Sequence, residues 1–348
     1  MTKKFIYEAS VFILALIISI SFLGCKGAGD PNLLEAEKEE LGITGEEISA
    51  EDIESMDKLF ADEMEIETIS GIENAVNLEN LSLNSNQITD ISPLAELTKL
   101  RILNLNGNQI TDISPLSNLT GLTNLGLNGN KITDIGPLED LVNLEIVSLG
   151  NNEIINISPL VGLSNLKVVV LDNNAIVDVP SLLELTSLEV LGFNKNQIAD
   201  VGTISELKSL RNLSLANNNI SDIGPLSELS NLTLIMLGNN PLSDISALGE
   251  MEKLEVISLS ECEIEDISPL EELKNLRQLA LSKNKISDIS SLSNIKSLEL
   301  LWLEDNEITD ISALKELPDL QKLYIKGNPI SDEGQVDELR DAGVEVDF

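Results

Sequence analysis

The 348-residue chain contains no histidine, one tryptophan, two tyrosines and two cysteines, and 22 basic residues stand against 59 acidic ones. Without histidine, the commonest general base and the commonest zinc ligand are both missing. A formal charge of −37 repels phosphate backbones and anionic lipid headgroups, which argues against nucleic acid as a partner. No Gly-rich phosphate loop, metal-ligand spacing or nucleophile–base pair occurs along the chain, and acidic pairs are so plentiful that none marks a site. Neither catalysis nor a cofactor is expected. Beyond the first 24 residues no apolar run reaches the 18 or so residues of a membrane span.

Those first residues read as a targeting segment rather than as fold. Lys3 and Lys4 precede an apolar stretch, densest over residues 11–22, which ends in "SFLGCKG". That ending resembles a bacterial lipobox, and the resemblance implies cleavage after Gly24 and a lipid on Cys25. The other readings are an uncleaved anchor or a chance cysteine. With Cys25 lipidated, only Cys262 remains and no intramolecular disulfide can form. The expected state is a monomer held to a membrane through Cys25, outside the cytoplasm.

What the chain has in abundance is repetition. "NQITDISPL" occurs at residues 86–94 and again at 108–116, and near-copies follow every 22 residues. The unit reads L-x-x-L-x-L-x-x-N-x-I-x-D-I-x-P-L-x-x-L-x-x. Its asparagine column runs from Asn86 to Asn328 in twelve places without insertion, broken only by Cys262. A period of this kind is the mark of a solenoid, in which each coil buries its apolar edge against the next. Leu100, Leu103 and Leu105 point inward from one short strand. The asparagine amide, with two donors and an acceptor, serves backbone groups of adjacent coils. Asp112, ahead of Ser114 and Pro115, caps a short helical turn. A calcium ladder along the aspartate column is the rival reading, but one carboxylate per coil among apolar neighbours does not supply converging oxygens.

These columns resemble the leucine-rich repeat, and "DISPL" in a 22-residue unit resembles the bacterial internalins. The resemblance implies an α/β fold: a curved solenoid with a parallel sheet on its concave face, 3-10 or single-turn helices on the convex side and a helical N-terminal cap. The expected division is a signal peptide over 1–24, an anchor and linker over 25–30, a cap over 31–77, repeats over 78–331 and a C-terminal cap over 332–348. In the N-terminal cap, "PNLLEAEKEELGI" and "SAEDIESMDKLFAD" read as two helices, the second opened by a capping box at Ser49 and Asp52. Residues 30–79 hold seventeen acids against Lys38 and Lys58, a solvated face or a site for basic partners and loosely held divalent cations. "DEGQVDELRDAG" reads as a closing helix and "VEVDF" as a last strand.

Function is expected between the apolar columns, at the strand positions that face outward. Ile146, Val168, Val170 and Val190 make an aliphatic patch that continues through Leu234, Met236 and Val256, part of it explained by strand propensity alone. Trp302 and Tyr324 fall in one outward column on adjacent coils, beside Leu300 and with Lys283, Lys322 and Lys326 around them. Aromatic residues flanked by cations are typical of binding hot spots, and shielding of the core is the other use for them. The resemblance implies an unidentified protein ligand on the concave face, in adhesion or host interaction. The alternative is a structural or cation-binding envelope protein without a specific ligand.

Overall fold

The computed structural model describes residues 29–44 and 47–348, which fall into two compact units that meet in sequence between Ile132 and Thr133. Cys25 and the apolar leader lie outside the described residues. The first unit opens with two helices, α1 (Pro31–Leu41) and α2 (Ala50–Ser55), followed by strands β1 (Lys58–Phe60), β2 (Asn80–Ser82), β3 (Ile102–Asn104) and β4 (Asn124–Gly126). The second carries β5 (Ile146–Ser148), β6 (Val168–Val170), β7 (Val190–Gly192), β8 (Asn212–Ser214), β9 (Leu234–Met236), β10 (Val256–Ser258), β11 (Gln278–Ala280), β12 (Leu300–Trp302), β13 (Lys322–Tyr324), α3 (Gly334–Asp341) and β14 (Glu345–Asp347). Within each unit every strand pairs in parallel with the next, at a register of 22 residues until the last step. Each unit is thus a leucine-rich repeat solenoid, with 3-10 turns opposite the strands.

The interior is almost wholly aliphatic. In the coil of β3, Leu100, Leu103, Leu105, Ile110, Ile113 and Leu116 are all buried. Each such side chain contributes about 1.5–3 kcal/mol before entropy is charged against it, which suffices without any cross-link.

One difference from expectation lies at the start. The helix read across "SAEDIESMDKLFAD" stops at Ser55, and Lys58–Phe60 is a strand paired with β2. Met56, Leu59 and Ala61 are buried and sit 22 residues before Leu78, Leu81 and Leu83. They are a disguised copy of the strand template, and burial of that edge overrides helix propensity. The capping box itself forms: the Asp52 amide donates to Ser49 Oγ at 3.2 Å and the Ser49 amide to Asp52 Oδ2 at 3.0 Å.

Asparagine closes each coil as its chemistry requires. Asn86 Nδ2 donates to Ala61 O (2.8 Å) and Leu83 O (3.0 Å), while its Oδ1 accepts from Met64 and Ile66 amides. Asn218 repeats the pattern on Phe193 O, Leu215 O and the Ile198 amide. Cys262 cannot: its Sγ lies 3.6 Å from Leu237 O, and it has no acceptor for the Leu242 amide. That amide turns back onto Asn240 O at 2.8 Å, across Pro241. The same closure occurs at Ile330 onto Asn328 O, across Pro329, where no further asparagine follows. "NP" therefore marks both places where the ladder stops. Burial pushes the Cys262 thiol up, so it is an unreactive spacer.

The aspartate column acts as expected. Asp90, Asp112, Asp222 and Asp310 each accept the amide two residues on, at 2.7–2.9 Å. That hydrogen bond holds the Asp112 and Asp310 carboxyls below the usual carboxylate range. One coil departs from the rule. After Asp178 the order is Val-Pro-Ser rather than Ile-Ser-Pro, so Pro180 stands where an amide donor is needed, and this coil has no 3-10 turn.

At the N-terminus, Asp30 caps α1 through the Asn32 amide (2.9 Å) and holds the Glu67 amide with its other oxygen (2.7 Å), tying helix to coil. Leu33, Ala36 and Glu37 form the buried stripe of α1. Burial, with Glu73 nearby, pushes the Glu37 carboxyl up to about 7.

The ladder sets an order of stabilities. Asn218→Ala strands three backbone groups and should cost about 3 kcal/mol or more, whereas Cys262→Ala should cost about 1 kcal/mol or less; urea midpoints compare them. Because Glu37 is held protonated by the fold, its contribution is full below its unfolded pKa of 4.5 and is lost as pH rises through about 7. Glu37→Gln should therefore raise the melting temperature at pH 8 and leave it little changed at pH 4, as scanning calorimetry would show.

Candidate functional site

In each unit the outward-facing strand residues form a surface that the apolar columns leave free. On the first unit it is an amide lattice. The Asn84 amide donates to Asp62 Oδ1 (2.7 Å), the Asn106 amide to Asn84 Oδ1 (2.9 Å) and the Asn128 amide to Asn106 Oδ1 (2.8 Å). Asn104 and Asn106 close over Gly126, where a Cβ would meet Asn106 Nδ2 at 2.7 Å.

On the second unit the same face turns aliphatic, then aromatic. Ile146, Val168 and Val190 stand side by side in register, with Val170 between Ser148 and Gly192. Leu234, Met236 and Val256 form a separate group, because Asn212 and Ser214 of β8 intervene. The patch read as continuous from the sequence is therefore two patches. Gly192 makes a notch between them: a Cβ there would lie 3.0 Å from Asp172 Oδ2. The Asn194 amide donates to Asp172 Oδ1 at 2.6 Å, and burial nonetheless raises that carboxyl above its usual range.

Trp302 and Tyr324 do meet. Their rings stack with centroids 5.6 Å apart and planes 6° from parallel, on β12 and β13 in direct register. Both are half-buried, as is Leu300 beside Lys322. Lys322 Nζ lies 5.0 Å from the Tyr324 centroid and 2.7 Å from Glu345 Oε1. The Glu345 hydrogen bond, helped by one with the Tyr324 side chain, raises the Lys322 ammonium above its ordinary value.

The other two lysines differ. Lys283 lies in no strand column; it occupies the left-handed turn position (φ 57°) that precedes each asparagine, and its Nζ pairs with Glu261 at 2.7 Å. Lys326 is exposed. Two residues of an outward column that lie outside the expected site, Ser282 and Glu304, are joined by the fold. Ser282 Oγ donates to Glu304 Oε2, which places a half-buried carboxylate beside the stack. Three exposed apolar residues also lie outside the strand columns: Ile155, near a 3-10 turn, and Val177 and Leu183, in the coil that has none. Their signal was present: Ile155 and Val177 stand in a column that holds Thr133 before them and Ser221 after.

A stacked pair should be energetically coupled. Trp302→Ala, Tyr324→Ala and the double variant, compared by urea unfolding, should give a coupling of about 0.5–1.5 kcal/mol; additive losses would mean that the rings only share a neighbourhood.

The family model for leucine-rich repeats in two copies matches residues 76–118, 120–162, 208–250, 252–294 and 296–339. The unmatched stretch between the second and third segments contains the coil with the inverted Pro180–Ser181 order. Curated proteins give no match. Among solved structures, an internalin (inlF) from Listeria monocytogenes is similar at 34% identity and a TM-score of 0.87, over 92% of this chain and 95% of that one. Internalin C2 (inlC2) of the same organism is similar at 34% identity and a TM-score of 0.52, over 66% of this chain and 93% of its own. The ectodomain of the Arabidopsis thaliana receptor kinase GASSHO1/SCHENGEN3, solved with CASPARIAN STRIP INTEGRITY FACTOR 2, shares the fold at 20% identity and a TM-score of 0.63, over 81% of this chain and 43% of that one.

Proposed function

Since the chain belongs to the internalin-like leucine-rich repeat proteins, we propose that it is a recognition protein of the bacterial cell surface, which binds a protein ligand on its concave strand face. The observation that carries this reading is the Trp302–Tyr324 stack. Every other outward strand position of the second unit is small, polar or aliphatic, and the only tryptophan of the chain is spent on a half-exposed surface position rather than in the core. Rigid, partly desolvated aromatics of this kind supply much of the binding energy of protein interfaces. The aliphatic groups around Val168 and Leu234 would extend the contact along the sheet. The structure in complex with a plant factor supports the fold's suitability for such ligands.

The anchoring is proposed from "SFLGCKG": a lipid on Cys25 holds the molecule outside the cytoplasm as a monomer, its acidic surface keeping tethered copies apart. One acyl-bearing residue anchors without spanning.

The test is a pull-down from envelope and host-cell extracts with the detergent-solubilised chain and its Trp302→Ala/Tyr324→Ala variant, with circular dichroism to confirm that both fold. A ligand retained by the wild type and lost by the variant is the expected result. Equal retention by both would reject these aromatics as the anchor.

A further inference from the structure

We infer that the Trp302 face turned toward β11 is a receptor for an arginine side chain of the partner protein, with Glu304 as the countercharge; this rests on the recognition reading above. Four observations build the site.

The stack carries a cation at Tyr324 and has a small residue in register with Trp302 on the other side. Lys322 is drawn toward Glu345 on β14, the side of Tyr324 away from Trp302, so the order along the sheet is indole, phenol, ammonium, carboxylate. In the opposite direction the register neighbour of Trp302 is Ala280, whose methyl cannot cover an indole. The protein's own lysine thus shows how a cation sits on this stack, and among the described residues Trp302 makes no cation–π contact of its own.

Glu304 supplies a carboxylate on the same outward side. It follows Trp302 by two residues and points to the same side of the strand. Ser282 Oγ, two residues beyond Ala280, donates to Glu304 Oε2 and so holds the carboxylate toward β11. Among the described residues no ion pair engages Glu304. Lys283, the nearest cation in sequence to Ser282, is committed to Glu261 on the preceding coil, and Lys326 lies one coil beyond Glu304 in the other direction.

The floor and far wall suit a flat group. Ala280 is small, and Gln278 precedes it on the same face with an amide. A guanidinium plane laid on the indole would keep cation–π contact and direct its N–H edge at Glu304, which an ammonium matches less well. The charge of the whole chain, −37, favours approach of a cationic partner.

The chain's only tryptophan reports the site directly. The full chain is titrated with the peptide Ac-Gly-Gly-Arg-Gly-Gly-amide and with its citrulline counterpart, which is isosteric and neutral, while indole fluorescence is followed. The arginine peptide should saturate the signal and the citrulline peptide should not. Glu304→Gln should weaken binding about tenfold, as loss of a partly desolvated charge pair requires. Ala280→Leu, which fills the space without changing charge, should abolish the response. Glu271→Gln, an exposed acid beside a 3-10 turn, should bind as the wild type does. Equal response to both peptides, or equal weakening by Glu304→Gln and Glu271→Gln, would overturn the proposal in favour of diffuse attraction.

The two readings fail separately. A partner lost by the Trp302→Ala/Tyr324→Ala variant but held equally by wild type and Glu304→Gln would keep recognition and reject the arginine site. Retention by all three would reject both.

Discussion

A single carboxamide per coil makes this architecture possible. A coil of 22 residues must turn sharply at the end of each three-residue strand, and the turn leaves carbonyls and an amide pointing inward with no strand to bond them. Asparagine has two donors and an acceptor in one plane, so Asn218 satisfies its own coil and the one before it together. The aliphatic columns supply the energy of stacking, but they are non-directional and would tolerate slippage. The amide fixes the spacing at one coil. Where it is absent, at Cys262 and after Asn328, the preceding coil closes on itself through an Asn-Pro step instead.

Much of this was legible because the period repeats a physical requirement rather than a motif. The Asp in "DISPL" reads as a cap, and its carboxylate accepts the amide it was expected to accept. What escaped were the places where the same requirement is met by other residues. Met56 and Ala61 fill strand columns otherwise held by leucine, and a capping box immediately upstream made the segment look like a longer helix. The candidate site was legible in part. Trp302 and Tyr324 share a column, so their approach follows from register alone. Lys283 was grouped with them by proximity in sequence, yet a left-handed turn carries its side chain back to Glu261. Glu304 stands in an outward column, but the lean of its side chain depends on Ser282, and column patterns say nothing about side-chain hydrogen bonds.

The two units divide the outward strand face by chemistry. The first presents a lattice of asparagine amides bonded to one another and, at its start, to the Asp62 carboxylate. The second presents aliphatic groups and then an aromatic stack with an acid beside it. Since the interior columns are identical in kind throughout, these differences are not demanded by folding. They are the freedom that a repeat leaves to selection: core positions are fixed by the stack, while outward positions change without cost to it.

That freedom has a limit in the coil that contains Pro180. Its inverted Pro-Ser order deletes an amide that the preceding aspartate would cap, and the short turn that elsewhere tightens each coil is missing. In a linear stack each coil is held only by its two neighbours, so local stability is set by the weakest member rather than shared across the whole. This coil therefore has one backbone tie fewer than the coils on either side of it. Exposed Val177 and Leu183 at the same place make it an apolar seam. The seam thus separates the coils that carry Val168 from those that carry the aromatic stack, so a repeat array need not be equally tight along its length.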